Sequence, residues 1–158
     1  MSIVSRHVPY ELVEETAHDA FVRAYRSLAG YAGTGEFKSW LAAIAVRTCR
    51  DHWRREYRNK EQPMSRLGAR HRAWLEKTLS SSGGNPGDAP AEEARELLSW
   101  ALAHLSPDDR LVLELVYLEG LSSREAARLS GMSVANVKVR AFRAKRKMKK
   151  LLDEMTET

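Results

Sequence analysis

The stretch Leu121-Ser-Ser-Arg-Glu-Ala-Ala-Arg-Leu-Ser-Gly-Met-Ser-Val-Ala-Asn-Val-Lys-Val-Arg-Ala-Phe-Arg-Ala-Lys-Arg-Lys147 reads as a short helix, a tight turn at Gly131 and a second helix loaded with cations. This is the pattern of a helix-turn-helix. Ser122 or Ser123 can cap the first helix and Ser133 the second, each hydroxyl accepting from a free first-turn N–H. The second helix is expected over Val134 to Met155. At about 100° per residue, Val134, Val137, Ala141, Ala144, Met148, Leu151 and Leu152 form its core side. Asn136, Val139, Phe142, Arg143, Arg146 and Lys150 lie roughly opposite, with Lys138, Arg140, Lys145, Lys147 and Lys149 on the flanks. No acidic residue interrupts Val134 to Leu152.

Two outward residues, Val139 and Phe142, are apolar. A helix that is only solvated has no use for them, whereas a thymine methyl in the major groove is an apolar target. Arg143 can donate to guanine, and Asn136 can pair with adenine or hold a phosphate. The remaining cations supply phosphate attraction that is salt-dependent and blind to sequence. Lys147, Lys149 and Lys150 also suit the negative end of the helix dipole.

Upstream, Ser106 caps a helix with Pro107 in its first turn and Asp108 and Asp109 at its positive end. That helix buries Leu111, Val112, Leu115 and Val116 and stops at Gly120. Before it, Ala94, Leu97, Leu98, Ala101, Leu102 and Leu105 share one side of a helix over Ala91 to Leu105. A polar segment precedes that helix and ends in Ser80-Ser81-Ser82-Gly83-Gly84-Asn85-Pro86-Gly87-Asp88, a composition expected of a flexible tether. Within it Met64, Leu67, Trp74, Leu75 and Leu79 could form a short amphipathic helix. Further back, helices are predicted over Tyr10 to Leu28 and Glu36 to Tyr57, separated by Gly30, Gly33 and Gly35. Residues 1–9 are expected to be poorly ordered. The apolar period is helical throughout. The fold class is therefore all-α: two small helical domains, 1–58 and 91–158, joined by a flexible linker, 59–90, the second domain being the helix-turn-helix.

The helix after Glu36 carries an apolar stripe of Phe37, Trp40, Leu41, Ile44, Ala45 and Thr48. Arg47, Arg50, Arg54 and Arg58 line an adjacent side, and Trp53 and Val46 lie on neither. Arginines beside exposed aromatics suit a partly single-stranded nucleic acid; an ordinary solvated face reads equally well. The first helix opens with Glu11, Glu14, Glu15 and Asp19 and continues with Phe21, Val22, Tyr25 and Leu28. Acids there favour the dipole, and they could also receive a basic protein partner.

The net charge of +5 and a pI near 9.5 favour an acidic partner such as nucleic acid. One cysteine, Cys49, excludes an intramolecular disulfide and reads as a small buried hydrophobe. His7, His18, His52, His71 and His104 are scattered without metal spacing. There is no apolar run long enough for a membrane span and no signal peptide, so a cytoplasmic protein is expected. With no Gly-rich phosphate loop, metal set or nucleophile beside a base, neither catalysis nor a cofactor is expected.

Both halves together resemble an extracytoplasmic-function (ECF) sigma factor of bacterial RNA polymerase, from about Val13 to Leu152 with the linker unmatched. Asp19-Ala-Phe-Val-Arg-Ala-Tyr-Arg26 is similar to region 2.2 of that family. Phe37-Lys-Ser-Trp-Leu-Ala-Ala-Ile-Ala45 and Cys49-Arg-Asp-His-Trp-Arg-Arg55 are similar to regions 2.3 and 2.4. Leu105-Ser-Pro-Asp-Asp-Arg110, Glu119-Gly-Leu-Ser-Ser-Arg-Glu-Ala-Ala127 and Ser133-Val-Ala-Asn-Val-Lys-Val-Arg140 resemble region 4. The resemblance implies a promoter-specificity subunit, a monomer when free, that initiates transcription with core RNA polymerase. Glu14, Glu15, His18, Asp19, Val22 and Arg26 would bind the clamp helices of the largest subunit. Trp40, Arg47, Arg50, Trp53, Arg54 and Arg55 would engage the −10 promoter element. The second domain would sit on the β flap and read the −35 element, with Lys138, Val139, Phe142 and Arg143 nearest the bases. Ser122, Ser123, Arg124 and Arg140 would position the phosphates, with Asn136 and Arg146 on the same surface. An anti-sigma factor is the implied inhibitor.

The sequence departs from the family in several places. A further helix, region 2.1, normally precedes the one starting here at Tyr10. Either the chain is truncated, its start is assigned late, or its first domain is reduced; core surface around Phe21, Val22 and Trp40 would then be exposed. Arg47 stands where Asn is common, Val139 replaces a small polar residue, and Ala141 replaces a larger aliphatic. The rival function is a stand-alone helix-turn-helix regulator that dimerises through residues 10–57 and binds an operator without polymerase.

Overall fold

The computed structural model describes residues 3–59 and 91–156, and no strand occurs among them. The tether and the amphipathic stretch from Met64 to Leu79 lie outside the described residues. In chain order the helices are α1 (Val4–His7), α2 (Val13–Ser27), α3 (Phe37–Asn59), α4 (Ala91–Ala103), α5 (Pro107–Leu113), α6 (Ser123–Ser130) and α7 (Val134–Thr156). Tyr10–Leu12 and Leu28–Gly30 are 3₁₀ turns on either side of α2. A π-helical turn, Glu114–Leu118, continues α5.

The local signals act as the residues require. Ser106 Oγ accepts from Asp109 N at 3.3 Å, with Pro107 opening α5. Ser122 is the cap of α6, and its capping box is complete, since Glu125 accepts from Ser122 N at 2.8 Å. Ser133 Oγ accepts from Asn136 N at 3.1 Å. Gly131 adopts φ +75°, the left-handed conformation that ends a helix with least strain when no Cβ is present. Gly131→Ala is expected to cost about 1–2 kcal/mol, read as a lower unfolding midpoint. Its Cβ would lie 2.9 Å from Arg47 Nη2, so that side chain must also move.

Among the described residues, three apolar clusters form the core. Val4, Val8, Ala20, Ala45 and Cys49 join α1, α2 and α3. Leu102, Leu105, Leu113 and Ala144 join α4, α5 and α7. The third gathers Leu111, Val112, Leu115, Ala126, Ala127, Val137 and Ala141 from the helix-turn-helix side, and it includes Val46 from α3. Val46 is 1% exposed, and α3 packs directly on α5 and α6. The two modules are therefore docked on each other, and Ile3 touches both the first and the third cluster.

Several expectations need correcting. Residues 3–8 are ordered: Val4, His7 and Val8 are all buried, because α1 wedges between α2 and α3. Tyr10 to Leu12 form a 3₁₀ turn, so the α-helix begins at Val13. Phe37 is half exposed and leaves the apolar stripe, whereas Val46, assigned to neither stripe, is fully covered. Val134, at the open end of α7, is 36% exposed and contributes little to the core side.

Candidate nucleic-acid interface

α7 presents the outward face that its periodicity predicts. Val137, Ala141 and Ala144 are buried, while Asn136, Lys138, Val139, Phe142, Arg143 and Arg146 are exposed. Phe142 is 67% exposed and Val139 46%, so two apolar side chains one helical turn apart stand open among cations. Farther along, Arg143, Arg146, Lys147, Lys149 and Lys150 flank an open groove that Asp153 and Glu154 also line, with Lys150 3.5 Å from Glu154. On α6, Ser122 and Arg124 are exposed and Ser123 is half-buried, so this shoulder is also accessible. Arg140 is different. Its guanidinium pairs with Asp109 at 2.8 Å and with Asp108 at 3.6 Å, at the first turn of α5.

On α3 the arginine side faces the second module. Arg54 Nη2 lies 3.1 Å from Asp108, and Arg50 Nε lies 3.8 Å from the same carboxylate. Arg50 Nη1 also donates to the Ser130 carbonyl at 3.2 Å. Trp53 has no open ring face on one side, because the Arg110 guanidinium sits 3.5 Å from its ring centroid. Its indole N–H donates to the His7 carbonyl at 2.7 Å. Of the α3 residues assigned to the −10 element, Arg47 and Arg55 are exposed and Trp40 is half-buried.

A second aromatic group was not legible in the sequence. Tyr31, from the loop before α3, packs its ring 5.7 Å from Phe37 and 5.0 Å from Trp40. Tyr31 Oη donates to the Gly35 carbonyl at 2.6 Å, which pins the loop. Beside this group lies a cleft of about 500 Å³ that Thr34, Ser39 and Arg128 also line. The glycines at 30, 33 and 35 mark a turn, but nothing in their spacing says that the turn folds back onto Trp40.

On α2, Glu14, Glu15, His18 and Arg26 are exposed, and Val22 and Asp19 are half-buried. Asp19 pairs with Arg23 at 3.1 Å, and Arg23 reaches Asp51 of α3 at 2.6 Å. Phe21 is 64% exposed and Tyr25 81%, so this helix also offers a broad open apolar surface. A cavity of about 190 Å³ lies beneath Phe21, between Val4, Ala20, Leu41 and Ala45.

Between the modules sits a buried charge cluster. His7 Nδ1 is 2.6 Å from Glu114 Oε2, and Nε2 is 2.7 Å from Glu119 Oε1. A carboxylate facing each ring nitrogen favours the doubly protonated imidazole over the neutral one. Burial alone would lower its pKa; the hydrogen bonds and charges of Glu114 and Glu119 reverse that and push it up to about 9. Glu114 also accepts from Arg110 Nε at 2.8 Å, and Arg6 reaches Glu119 at 3.5 Å. The His7 ring beside it, 2.7 Å away, holds the Glu119 carboxyl below its ordinary value, against the effect of burial. In an α-helix, five residues would separate Glu114 and Glu119 by about 140°. The π-helical turn, closed by Glu119 N on the Glu114 carbonyl at 2.9 Å, brings both to one side.

Residues 1–59 match the family described as Sigma-70 region 2, and residues 95–148 match Sigma-70, region 4. The chain is similar to the ECF RNA polymerase sigma-E factor of Escherichia coli (strain K12), 33% identical over 151 residues, covering 91% of this chain and 75% of that protein. It is similar to the RNA polymerase sigma factor CnrH of Cupriavidus metallidurans, 32% identical over 153 residues, covering 95% of this chain and 78% of that one. A solved structure of CnrH in complex with the cytosolic domain of CnrY superposes with a TM-score of 0.57 at 27% identity, over 96% of this chain and 78% of CnrH. The sigma factor RpoE in complex with the anti-sigma factor NepR from Bartonella quintana, 19% identical, shares the fold with a TM-score of 0.56 over 96% of this chain and 88% of that one.

Proposed function

This chain belongs to the sigma-70 family as an ECF-type sigma factor, an alternative sigma factor that directs RNA polymerase to promoters, and from that premise we propose how its residues divide the work. The outward side of α7 reads the −35 element, with Lys138, Val139, Phe142 and Arg143 at the bases. The carrying observation is the exposure of Val139 and Phe142 amid cations on a helix otherwise packed against its own module. Ser122, Ser123, Arg124, Asn136, Arg140 and Arg146 hold phosphates around it. Arg47, Arg50, Arg54 and Arg55 engage the −10 element, and the Tyr31, Phe37 and Trp40 rings offer a surface on which an unpaired base can stack. Glu14, Glu15, His18, Asp19, Val22 and Arg26 meet the polymerase clamp helices, supported by the open surface of α2. The second module sits on the β flap.

Regulation by an anti-sigma partner fits the same reading, because the related CnrH structure holds the cytosolic domain of CnrY. No described helix is long and apolar enough to cross a membrane. A cytoplasmic protein meeting polymerase there is part of the proposal.

The test is to add the purified chain to core polymerase and map transcripts. Promoter-specific initiation is expected; a chain that ignores core enzyme and dimerises on a palindrome would overturn the proposal. Arg143→Ala is expected to relax preference at one −35 position by about 1–3 kcal/mol, the loss of a bidentate guanine contact. Binding measured across single-base variants of the −35 element checks this, since an equal loss on every sequence would mark Arg143 as a phosphate contact.

A further inference from the structure

The outward side of α7 is not uniformly cationic. Ala135, Val139 and Phe142 are all exposed, and at about 100° per residue they fall within about 60° of one another. Their line runs opposite Val137, Ala141 and Ala144, which are buried. It is an apolar stripe on the outer side of a helix whose inner side already packs on its own module. Lys138 stands exposed along one border of the stripe, and Asn136 and Arg143 along the other. No acidic residue occurs between Val134 and Leu152, so the frame around the stripe is basic or neutral. Duplex DNA answers both features at once. Its phosphates meet the border, and the pyrimidine C5-methyl is the apolar group that projects into the major groove.

We infer that this stripe reads pyrimidine C5-methyl groups, and that methylation of cytosine is therefore an input to promoter choice. From Ala135 to Phe142 the helix advances about 10 Å. The rise is about 3.4 Å per base pair, so the stripe spans about three base steps. Thymine and 5-methylcytosine share the methyl and differ at C4, where thymine carries an acceptor and cytosine a donor. None of the three side chains in the stripe can hydrogen-bond, so the stripe does not tell these two bases apart. It does tell thymine from uracil, and 5-methylcytosine from cytosine, because only the methyl differs. Arg143, at the border, keeps the hydrogen-bonding readout of guanine. The inference rests on the reading of α7 as the −35 helix and adds the chemical group that is read.

The test uses holoenzyme assembled from the full chain and core polymerase, on a promoter that its transcripts define. Each pyrimidine of the −35 element, on either strand, is installed in turn as thymine, uracil, cytosine or 5-methylcytosine, and binding is measured by competition. At adjacent positions uracil should bind about fourfold more weakly than thymine, and 5-methylcytosine about fourfold more tightly than cytosine, the change expected for covering one methyl-sized group. Val139→Ser should erase both differences at one of these positions. Three results overturn the inference: no methyl preference anywhere in the element, a uracil loss without a 5-methylcytosine gain, or preferences that persist in both Val139→Ser and Phe142→Ser. Should methyls have no effect while Arg143→Ala still relaxes one position, the −35 reading stands and the methyl reading falls. Should no base change in the element alter binding, both fall. A Val139→Ser chain that loses core polymerase but keeps the methyl preference marks the stripe as a protein contact and overturns the inference.

Discussion

Glu114→Ala is expected to destabilise the folded chain by about 3–5 kcal/mol, the range for removing one partner of a buried ion pair. Glu114 is 4% exposed and serves two cations, His7 at 2.6 Å and Arg110 at 2.8 Å. His7 can escape by giving up a proton. Arg110 cannot, because a guanidinium stays charged at any accessible pH. It is 7% exposed and, without Glu114, would be left buried against the ring of Trp53. Urea denaturation measures the loss directly. Glu114→Gln, which keeps the shape and one acceptor, should lose clearly less. Equal losses for the two variants would mean that packing, not charge, holds this position.

The second large effect is a dependence on pH. His7 has a folded pKa of about 9, against an ordinary value of 6.5. A group whose pKa is raised on folding stabilises the folded state fully below its unfolded pKa, and that contribution is lost as pH rises through the folded one. The difference between the two values corresponds to about 3 kcal/mol. The groups facing the ring are Glu114 and Glu119, with Arg110 and Arg6 beyond them. Stability measured by urea should therefore fall between about pH 6.5 and about pH 9. His7→Gln should flatten that slope. A wild-type profile that stays flat across this window would show that His7 is not held as a cation.

Part of this molecule could be read from its residues because the physics is local. A Ser cap, a glycine with φ +75° and a period of 3.6 residues depend on neighbours a few positions away. So the helix-turn-helix, its outward Phe142 and Val139, and the cap of α5 were legible, while the cap of α6 was legible only as Ser122 or Ser123. The arginine side of α3 was legible as a stripe, but its environment was not. Whether Arg54 faces water, phosphate or Asp108 depends on a contact 54 residues away. The order of residues 3–8 escaped the local pattern for the same reason. Four residues make a negligible helix by themselves, and α1 is ordered because α2, α3 and two carboxylates of the second module surround it.

The amino-acid order alone pointed to an all-α fold, and to which helix carries Val139 and Phe142 outward among cations, since periodicity, capping and charge are properties of adjacent residues. Only the tertiary structure decided that the modules dock through α3, that Val46 is core, that Tyr31 folds onto Trp40, and that a π-helical turn aims two acids at one histidine. Those outcomes depend on long-range burial and on pairing of charges distant in the chain, which no local pattern encodes.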